Sequence, residues 1–359
     1  PLMEILSGRR EKLLFLSITF LGISHIVTQL VAIREFLNIF YGNEIVFGII
    51  LANWMLLMGI GSYLGKFVKN VRGKMELLIV SQIGVAFLPF LLIFMVRAIK
   101  TQFFMFGVSA DLIQIFSASL LILAPYGLLS GLLLTLACSV FKLRRTEEQI
   151  GSVYFIDNIG DILGGALFSF VLVFFLNSFQ MAFVVFFINL LAALILSGFL
   201  GRRTLAGFTL ILLVASSALF FSFDLNMTTT RSMFPGQDVI YQKDTPYGNI
   251  VVTRTGNQLN FFENGLPLFS TENTMSNEET VHYAMIQHEI PKKVLLITGG
   301  VAGTLDEILK YDVERIDYVE LDPRIIELGR LYTDNLNAEK INIINGDGRF
   351  FVKNAQDTY

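Results

Sequence analysis

Long apolar stretches dominate the first 224 residues of the sequence and then give way to short ones. A helix needs about 20 mostly apolar residues to cross the hydrocarbon core of a bilayer. Seven stretches meet this requirement, at about 13–33, 45–65, 77–96, 112–141, 152–176, 178–200 and 205–223. We expect no signal peptide, because the first stretch is too long and lacks a small-residue cleavage site. The pattern predicts a membrane domain of about seven helices over residues 1–224.

Proline and glycine positions predict how these helices run and pack. The fourth stretch is about 30 residues long and contains Pro125 near its middle, so we expect a tilted or broken helix there. Glycines four positions apart share one helix face and let two helix backbones approach closely. The pairs Gly61/Gly65 and Gly160/Gly164 have this spacing. They predict two close helix contacts.

After about residue 224 the pattern becomes that of a mixed α/β protein, in which turn residues separate short strand-like segments. These segments lie at 239–241, 249–254, 258–263, 294–297, 316–321 and 341–344. A helix that begins near Ser276 separates the first three from the last three. We predict a small β-strand domain with a linking helix over 225–290. Residues 291–359 are predicted to form the N-terminal part of a Rossmann-like domain that continues beyond Tyr359.

The composition fits a chain that lies partly in lipid. Hydrophobic residues make up 53% of the sequence and charged residues 16%, whereas soluble domains carry about 25% charged residues. The net charge of −3 gives no sign of nucleic-acid binding. The single cysteine, Cys138, cannot form an internal disulfide. We therefore expect a multi-pass protein of the cell membrane, with the lipid bilayer and not nucleic acid as its partner.

Lys and Arg are distributed unequally over the predicted loops. The N-terminal tail and the second, fourth and sixth loops carry twelve of them, and the other loops carry Arg34, Arg97 and Lys100. Because positively charged loops stay in the cytoplasm, the N-terminus is predicted there and the α/β domain outside, after seven spans. Nucleotide ligands of the kind predicted below are found in the cytoplasm, which predicts a cytoplasmic α/β domain instead. Both sides stay open at this point.

Ionisable residues inside the predicted spans are candidates for function, because burying them in a membrane is costly. Asp157 and Asp161 are four positions apart near the start of the fifth span, so they share one helix face. They predict either a cation or amine site or an interfacial cap of that helix. His25 and Gln29 are likewise one turn apart in the first span. They predict hydrogen bonding between helices or, alternatively, ligand binding.

The strand and loop order after residue 290 predicts a nucleoside site. Gly299, Gly300 and Gly303 follow the first buried strand and would let the backbone approach a ligand at a helix N-terminus. Glu320 ends the second strand, where a carboxylate accepts both hydroxyls of a ribose. Asp347, beside Gly348, follows the third strand and can accept a hydrogen bond from an adenine amino group. Because the loop lacks the dinucleotide G-x-G-x-x-G pattern, S-adenosylmethionine fits better than NAD.

Several runs resemble the spermidine synthase (polyamine aminopropyltransferase) family, and in particular its members with an N-terminal multi-span domain. They are Val294-Leu-Leu-Ile-Thr-Gly-Gly-Val-Ala-Gly-Thr-Leu305, Tyr318-Val-Glu-Leu-Asp-Pro-Arg-Ile-Ile-Glu-Leu328, Asn345-Gly-Asp-Gly348 and Tyr247-Gly-Asn-Ile250. The resemblance covers about 238–359 well. The membrane half resembles the family in layout and in the Arg-Glu-Phe…Tyr-Gly-Asn-Glu stretch at 34–44. The implied activity is aminopropyl transfer from decarboxylated S-adenosylmethionine to an amine such as putrescine, without a metal.

The resemblance also implies roles for individual residues. The nucleoside would be held by Gly299, Gly300, Gly303, Glu320, Asp347 and Gly348, and the substrate by Gln242, Tyr247, Glu278 and His282. This sequence departs from the family at Val301, where the family loop has an Asp, and in the stretch Asn277–Tyr283. The base that accepts the proton of the attacking amine is an Asp-x-x-Asp pair of the fourth strand in this family. We expect that strand beyond Tyr359, so the catalytic residues stay unassigned.

Three functions remain open on the sequence. The first is a membrane-bound aminopropyltransferase, which would also be compatible with a homodimer. The second is an S-adenosylmethionine-dependent methyltransferase, or a nucleoside-binding module without catalysis, because these share the same pocket. The third is a transporter of an amine or another small solute, with the α/β domain as a regulator. Only Asp157 and Asp161 point to transport.

Overall fold

The computed structural model describes the backbone of residues 2–40, 44–103, 110–141 and 148–359. It describes side chains at 11–40, 44–68, 71–100, 110–140 and 151–359, so the predicted loop charges Arg9, Arg10, Lys69, Lys142, Arg144 and Arg145 lie outside this set. The chain divides into two compact units, Pro1–Pro235 and Gly236–Tyr359. Each unit is described by itself below.

The first unit is helical. Its helices are α1 (Leu2–Phe40), α2 (Glu44–Leu64), α3 (Lys74–Phe103), α4 (Leu112–Phe141), α5 (Glu148–Leu167), α6 (Val173–Phe175), α7 (Ser178–Phe199), α8 (Arg203–Ser222) and α9 (Leu225–Ser232). Seven helical segments of the described chain are long and apolar enough to cross a membrane, which matches the seven stretches predicted from the sequence. A π-helical turn at Phe168–Leu172 joins α5 to α6 within the fifth segment. Helix α4 runs unbroken through Pro125.

Glycines set the closest helix contacts, as their spacing predicts. A Cβ atom on Gly61 of α2 would lie 2.3 Å from the Leu128 carbonyl oxygen of α4. A Cβ atom on Gly160 of α5 would lie 2.4 Å from the Thr19 carbonyl oxygen of α1, and one on Gly164 would lie 2.9 Å from the Ile23 Cα atom. Both predicted close contacts are therefore confirmed, between α2 and α4 and between α1 and α5.

An ion pair lies inside the helical unit. The Arg97 guanidinium of α3 donates two hydrogen bonds to the Glu35 carboxylate of α1, each 2.8 Å long, and both side chains are buried. Arg97 also donates to the Asn226 side-chain oxygen over 3.0 Å and to the Thr229 hydroxyl over 2.8 Å. These bonds tie α9 to the helices before it. Because Arg97 is engaged inside the unit, it is wrong to count it among the loop charges, and Lys100 is buried as well.

The second unit begins with four antiparallel strands in sequence order. They are β1 (Asp238–Asp244), β2 (Asn249–Thr255), β3 (Gln258–Glu263) and β4 (Leu266–Ser270). The first three were predicted, and β4 was not. Pro267 interrupts the β-forming pattern of β4, and the β3–β4 register shifts between Phe261 and Phe262. A strand with proline fits the edge of a sheet, where β4 lies.

Helix α10 (Thr274–Met285) leads to a parallel sheet of three strands. The strands β5 (Lys293–Ile297), β6 (Arg315–Glu320) and β7 (Ile341–Asn345) lie in that order, and the helices α11 (Thr304–Ile308), α12 (Pro323–Tyr332) and α13 (Gly348–Asn354) follow them. One apolar core contains Ile250 and Phe261 of the antiparallel sheet together with Leu305 and Ile316 of the α/β part. The two sheets are therefore packed as one body.

Candidate functional site

The carboxyl ends of the three parallel strands lie side by side at one edge of the sheet. The Thr298 amide donates to the Val319 carbonyl over 2.9 Å, and the Gly346 amide donates to the Glu320 carbonyl over 3.0 Å. The loops after β5, β6 and β7 therefore meet, and they carry the predicted glycines, Glu320 and Asp347. Ligands of open parallel sheets bind at this edge. The fold thus brings the predicted nucleoside residues together.

The loop after β5 has a backbone that favours glycine. Gly299 and Gly303 have φ angles of +77° and +100°, which residues with a Cβ atom rarely adopt. Thr298 has a φ of +61°, and a β-branched residue in this region costs about 1–3 kcal/mol. Such strain is concentrated at functional sites in proteins. It therefore agrees with a loop shaped for a ligand.

The ring of Tyr318 packs against the glycine loop so closely that a side chain at position 300 would overlap it. The sequence pattern did not indicate a role for this tyrosine. A Cβ atom on Gly300 would lie 2.8 Å from the ring of Tyr318, which is fully buried in β6. The Tyr318 hydroxyl lies at the amides of Gly300 and Val301, and it donates a 2.8 Å hydrogen bond to Glu320. Burial raises the pKa of Tyr318, so the hydroxyl stays protonated and donates. Tyr318 thereby couples the glycine loop to the acidic strand end.

Replacing Gly300 by alanine is expected to displace the loop, because the added methyl group would overlap the Tyr318 ring. Overpacking of this kind costs about 1–3 kcal/mol. We expect a lower melting temperature of the Gly236–Tyr359 unit and weaker nucleoside binding, both followed on the purified protein. The matched control is Gly346→Ala at the same sheet edge, where an added Cβ atom meets nothing within 4 Å. Equal losses in the two variants would contradict the role of Tyr318.

Glu320 is a buried hydrogen-bond acceptor at the end of β6. Its side chain is 4% exposed. One carboxylate oxygen accepts from the Tyr318 hydroxyl and the other accepts from the Leu321 amide over 3.0 Å. Burial raises the pKa of Glu320 above its ordinary value, although these hydrogen bonds work against that shift. A carboxylate has about four acceptor positions in all, so Glu320 keeps capacity to accept from a ribose.

Two more carboxylates, Glu263 and Asp322, face Glu320. Neither was predicted to belong to the site. Burial raises the pKa of Glu263 on β3, with smaller contributions from the negative charges of Asp322 and Glu320. Asp322 is buried and accepts a 2.6 Å hydrogen bond from the Thr245 hydroxyl. Glu263 lies 57 positions before Glu320 and in the other sheet, so no short motif contains both, whereas Asp322 follows Glu320 by only two positions. The site therefore has a strongly acidic wall, which suits a cationic ligand.

The predicted substrate residue Tyr247 lies in the loop between β1 and β2. Its side chain is 49% exposed, and its amide donates to the Thr245 hydroxyl over 3.2 Å. Since Thr245 also binds Asp322, this loop is fixed beside the end of β6. Gln242 lies on β1, where it pairs with Val251 of β2. The substrate roles of Tyr247 and Gln242 stay predictions.

Glu278 and His282 of α10 lie beside α11. The His282 Nε2 atom lies 3.2 Å from a Glu307 oxygen, and its Nδ1 atom lies 2.8 Å from the Tyr311 hydroxyl. Ligand atoms of Glu278, His282 and Glu307 lie within 4.8 Å of one another, a spacing that suits a metal ion. The Lys310 ammonium, however, already contacts both Glu307 and Glu278. A substrate role for Glu278 and His282 and the expected absence of a metal stay predictions.

Asp347 and Gly348 lie at the end of β7. Asp347 is exposed, and one of its oxygens accepts a 2.8 Å hydrogen bond from the Phe350 amide at the start of α13. The helix cap does not use the second Asp347 oxygen. That oxygen is therefore the one that an adenine amino group would donate to. A Cβ atom on Gly348 would lie 2.5 Å from the Ile297 side chain of β5. Glycine is therefore needed for the close approach of these two loops.

Val301, the residue that departs from the family pattern, faces the interior. It is fully buried, and a Cβ atom on Gly329 of α12 would lie 2.8 Å from its methyl groups. The Asn335 side chain donates to the Val301 carbonyl over 3.1 Å. An aspartate in this backbone position would place a carboxylate in the apolar core, which is costly. The loop therefore presents no carboxylate at position 301.

Comparison with known proteins identifies relatives of the second unit and of much of the chain. Residues 273–359 match the family described as Spermine/spermidine synthase domain. The polyamine aminopropyltransferase of Oceanobacillus iheyensis is 28% identical over 283 residues, 72% of this chain and 54% of the relative. Polyamine aminopropyltransferase 2 of Aquifex aeolicus is 26% identical over 96% of this chain and 70% of its own length.

A plant relative has a different activity. Putrescine N-methyltransferase 2 of Nicotiana attenuata is 32% identical over 152 residues, which cover 40% of this chain and 38% of that protein. This chain thus spans about half the length of the first bacterial relative. The match of residues 273–359 contains the glycine loop, Glu320 and Asp347. Residues 273–359 are thus similar to spermine/spermidine synthase domains, and most of the chain is similar to polyamine aminopropyltransferases.

Proposed function

We propose that the Gly236–Tyr359 unit binds decarboxylated S-adenosylmethionine and transfers its aminopropyl group to an amine such as putrescine. The observation that carries the proposal is the buried Glu320 acceptor beside a glycine loop at the carboxyl edge of a parallel sheet. Its position inside a spermine/spermidine synthase domain supports the same reaction class. The acidic residues Glu263 and Asp322 favour a cationic donor and a cationic amine.

Each predicted nucleoside residue has a task in this proposal. Glu320 accepts the two ribose hydroxyls, and Asp347 accepts from the adenine amino group. Gly299 and Gly300 let the loop backbone lie against the nucleoside. Because the Tyr318 hydroxyl lies at the loop amides of Gly300 and Val301, these amides are less available to a carboxylate. This arrangement favours a donor whose methionine carboxylate has been removed.

The transfer step forms a bond between the amine nitrogen and the aminopropyl carbon that is attached to the sulfonium. The carbon–sulfur bond breaks, and its electron pair goes to sulfur, which gives methylthioadenosine. The attacking nitrogen must release a proton to a base. The family resemblance assigns that base to an Asp pair of the fourth strand, and we assign none within residues 1–359. The residues proposed to hold the amine are Gln242, Tyr247, Glu278 and His282.

Nucleoside affinity is expected to fall on acidification. Ribose hydroxyls donate to the ionised Glu320, and burial raises the pKa of this carboxyl in the free protein. Affinity is therefore complete above the raised pKa and decreases as the pH falls through it, beginning above the ordinary glutamate value of about 4.3. Titration calorimetry with methylthioadenosine at several pH values measures this. Affinity that stays constant down to pH 4, or a Glu320→Gln variant with the same pH dependence, would contradict it.

The second candidate is methyl transfer, which the relationship to a putrescine N-methyltransferase favours. Both donors share adenosine, so the glycine loop and Glu320 would serve either reaction. Competition binding separates them, because only S-adenosylmethionine carries the carboxylate. We expect decarboxylated S-adenosylmethionine to bind at least about tenfold more tightly, a difference of about 1.4 kcal/mol. Tighter binding of S-adenosylmethionine would favour the methyltransferase.

We propose that the helical unit anchors this domain in a lipid bilayer. Seven apolar helices of sufficient length support an integral location. The protein should stay with the membrane fraction after alkaline carbonate washing and dissolve only with detergent. We propose that the Gly236–Tyr359 unit lies in the cytoplasm, because the donor is made there. The distribution of Lys and Arg over the loops predicts the opposite side. Protease digestion of intact spheroplasts that removes this unit would contradict the cytoplasmic placement.

A further inference from the structure

A polar cluster lies between α1, α4 and α5 of the helical unit. His25 and Thr28 come from α1, Ser130 from α4 and Asp157 from α5. These side chains are 5%, 1%, 0% and 6% exposed, respectively. The cluster is enclosed by apolar helices of a unit that we place in the membrane. An ionisable residue in such a position is costly and is a candidate for function.

Atoms of this cluster that require hydrogen bonds face one another without making them. The His25 Nδ1 atom lies 3.8 Å from an Asp157 carboxylate oxygen, which is longer than a hydrogen bond. Among the residues that the structure describes, that Asp157 oxygen and the His25 Nε2 atom have no hydrogen-bond partner. The hydroxyls of Thr28 and Ser130 face the Tyr126 hydroxyl. Unsatisfied buried groups cost about 1–3 kcal/mol each, so their retention points to a ligand.

The surroundings of the cluster favour a positive ligand. Within the described side chains, Asp157 and Asp161 form no ion pair with Lys or Arg, and His25 is the one basic group beside Asp157. The other titratable groups that face Asp157 are Tyr126 and Cys138 of α4 and Tyr154 of α5. None of these carries a positive charge. Two neighbouring carboxyl groups with one histidine therefore leave room for added positive charge.

The backbone contact between α1 and α5 fixes His25 opposite Asp157. A Cβ atom on Gly22 would lie 2.2 Å from the Asp157 carbonyl oxygen and 2.9 Å from the Gly160 Cα atom. The two helices therefore touch within one turn of both side chains. The Tyr126 ring stands edge-on to His25, with ring centroids 6.4 Å apart, and its hydroxyl donates to the Ser24 carbonyl over 3.1 Å. This hydroxyl is thus already engaged.

The donor set suits a proton better than a metal ion. Metal sites in proteins bring together three or more ligand side chains. In the described part of the chain, the cluster of three such residues that converges within 4.8 Å is Glu278, His282 and Glu307, in the other unit. His25 and Asp157 form only a pair. A histidine and a carboxylate that approach each other by about 1 Å can share one proton in a charge-assisted hydrogen bond.

We propose that His25 and Asp157 form a proton-binding site inside the helical unit. Uptake of one proton protonates the Asp157 oxygen that faces His25, and the resulting hydroxyl donates to the His25 Nδ1 atom, which closes the 3.8 Å gap to a hydrogen bond. Because these residues belong to different helices, protonation changes the contact between α1 and α5. The site gives the helical unit a response to protons that is independent of the transfer reaction.

Difference infrared spectroscopy of the detergent-purified protein tests the proposal, because a protonated carboxylic acid has a carbonyl band that a carboxylate lacks. We expect a band that titrates with pH in the wild type and is lost in Asp157→Asn. In His25→Gln its midpoint should move by about 1 pH unit, since the imidazole hydrogen bond to the protonated carboxyl is lost and a bond of this strength shifts a titration by about this amount. The control Asp161→Asn should keep the band.

Several results would overturn the proposal. They are a titrating band that persists in Asp157→Asn, an unchanged midpoint in His25→Gln, and loss of the wild-type band when sodium replaces potassium at constant pH. The last result would assign a metal cation instead. If Asp157→Asn does not fold, the wild-type titration and the His25→Gln midpoint decide alone. Neither measurement involves the nucleoside or the amine, so failure here is distinguishable from failure of the transferase proposal.

Discussion

Replacing Arg97 by methionine is expected to destabilise the helical unit by about 3–5 kcal/mol, the usual cost of removing one partner of a buried ion pair. The substitution leaves the Glu35 carboxylate buried without its two guanidinium hydrogen bonds. It also removes the bonds that hold Asn226 and Thr229 of α9. The single cysteine, Cys138, lies in α4. A thiol-reactive dye that reports its exposure on heating therefore measures unfolding of this unit specifically.

The double variant Glu35→Gln, Arg97→Met should recover part of the lost stability, because the Glu35 charge is then no longer buried without the guanidinium. The matched control is Arg202→Met, which breaks the Arg202–Glu76 pair. That arginine side chain is 59% exposed, and exposed pairs contribute little, so we expect almost no change. A loss in Arg97→Met no larger than in Arg202→Met would show that the buried pair does not hold the helices together.

Replacing Glu320 by glutamine is expected to weaken nucleoside binding about 100-fold, which corresponds to about 3 kcal/mol. Each hydrogen bond to a charged group contributes about 1.5–3 kcal/mol, and the proposed site has two from the ribose. Glutamine has the same shape, but its amide group donates where the carboxylate accepts. Calorimetry with methylthioadenosine on the purified protein gives the affinities.

The control for this variant is Glu327→Gln on α12. Glu327 is exposed and pairs with Arg324 on the same helix, so its loss should leave binding unchanged. Melting of the Gly236–Tyr359 unit should also be measured, because Glu320 accepts hydrogen bonds from Tyr318 and Leu321. Wild-type affinity in Glu320→Gln would remove Glu320 from the nucleoside site and leave the glycine loop without its ribose acceptor.

Local pattern was enough for the seven long helices and for six of the seven described strands. Apolar stretches of the required length became helices, and the glycine spacings predicted contacts that the backbones make. The order of glycine loop, Glu320 and Asp347 also followed from local sequence, because carboxyl ends of parallel strands always meet at one edge. These features depend on periodicity, on turn chemistry or on chain direction, and each can be read within about 20 residues.

Features that depend on distant residues could not be predicted in this way. Arg97 was interpreted as a loop charge, because its partners Glu35 and Asn226 are 62 and 129 positions away. Glu263 of the antiparallel sheet lies near Glu320 of the parallel sheet, although 57 positions separate them along the chain. In the sequence, Tyr318 resembles an ordinary core residue of a strand. Its role in the site follows only from two contacts in the structure, the packing of Gly300 against its ring and the hydrogen bond from its hydroxyl to Glu320.

Val301 illustrates the same limit for a family comparison. The sequence shows that position 301 is a valine where the family loop has an aspartate. It does not show that this side chain points into the core. The structure buries it against Gly329. The valine therefore stabilises the loop by packing in the core, and its presence does not indicate loss of function. A substrate-facing carboxylate must come from another element, and Glu263 and Asp322 are the described acids that face Glu320.

The most direct test of the central claim is an analysis of the products that the protein forms. Membranes that contain the natural full-length protein are supplied with putrescine and either decarboxylated S-adenosylmethionine or S-adenosylmethionine, and the nucleoside products are separated chromatographically. We predict that methylthioadenosine and an aminopropylated amine form with the decarboxylated donor, and that Glu320→Gln abolishes both. Formation of S-adenosylhomocysteine and a methylated amine, with no methylthioadenosine, would contradict the proposed reaction.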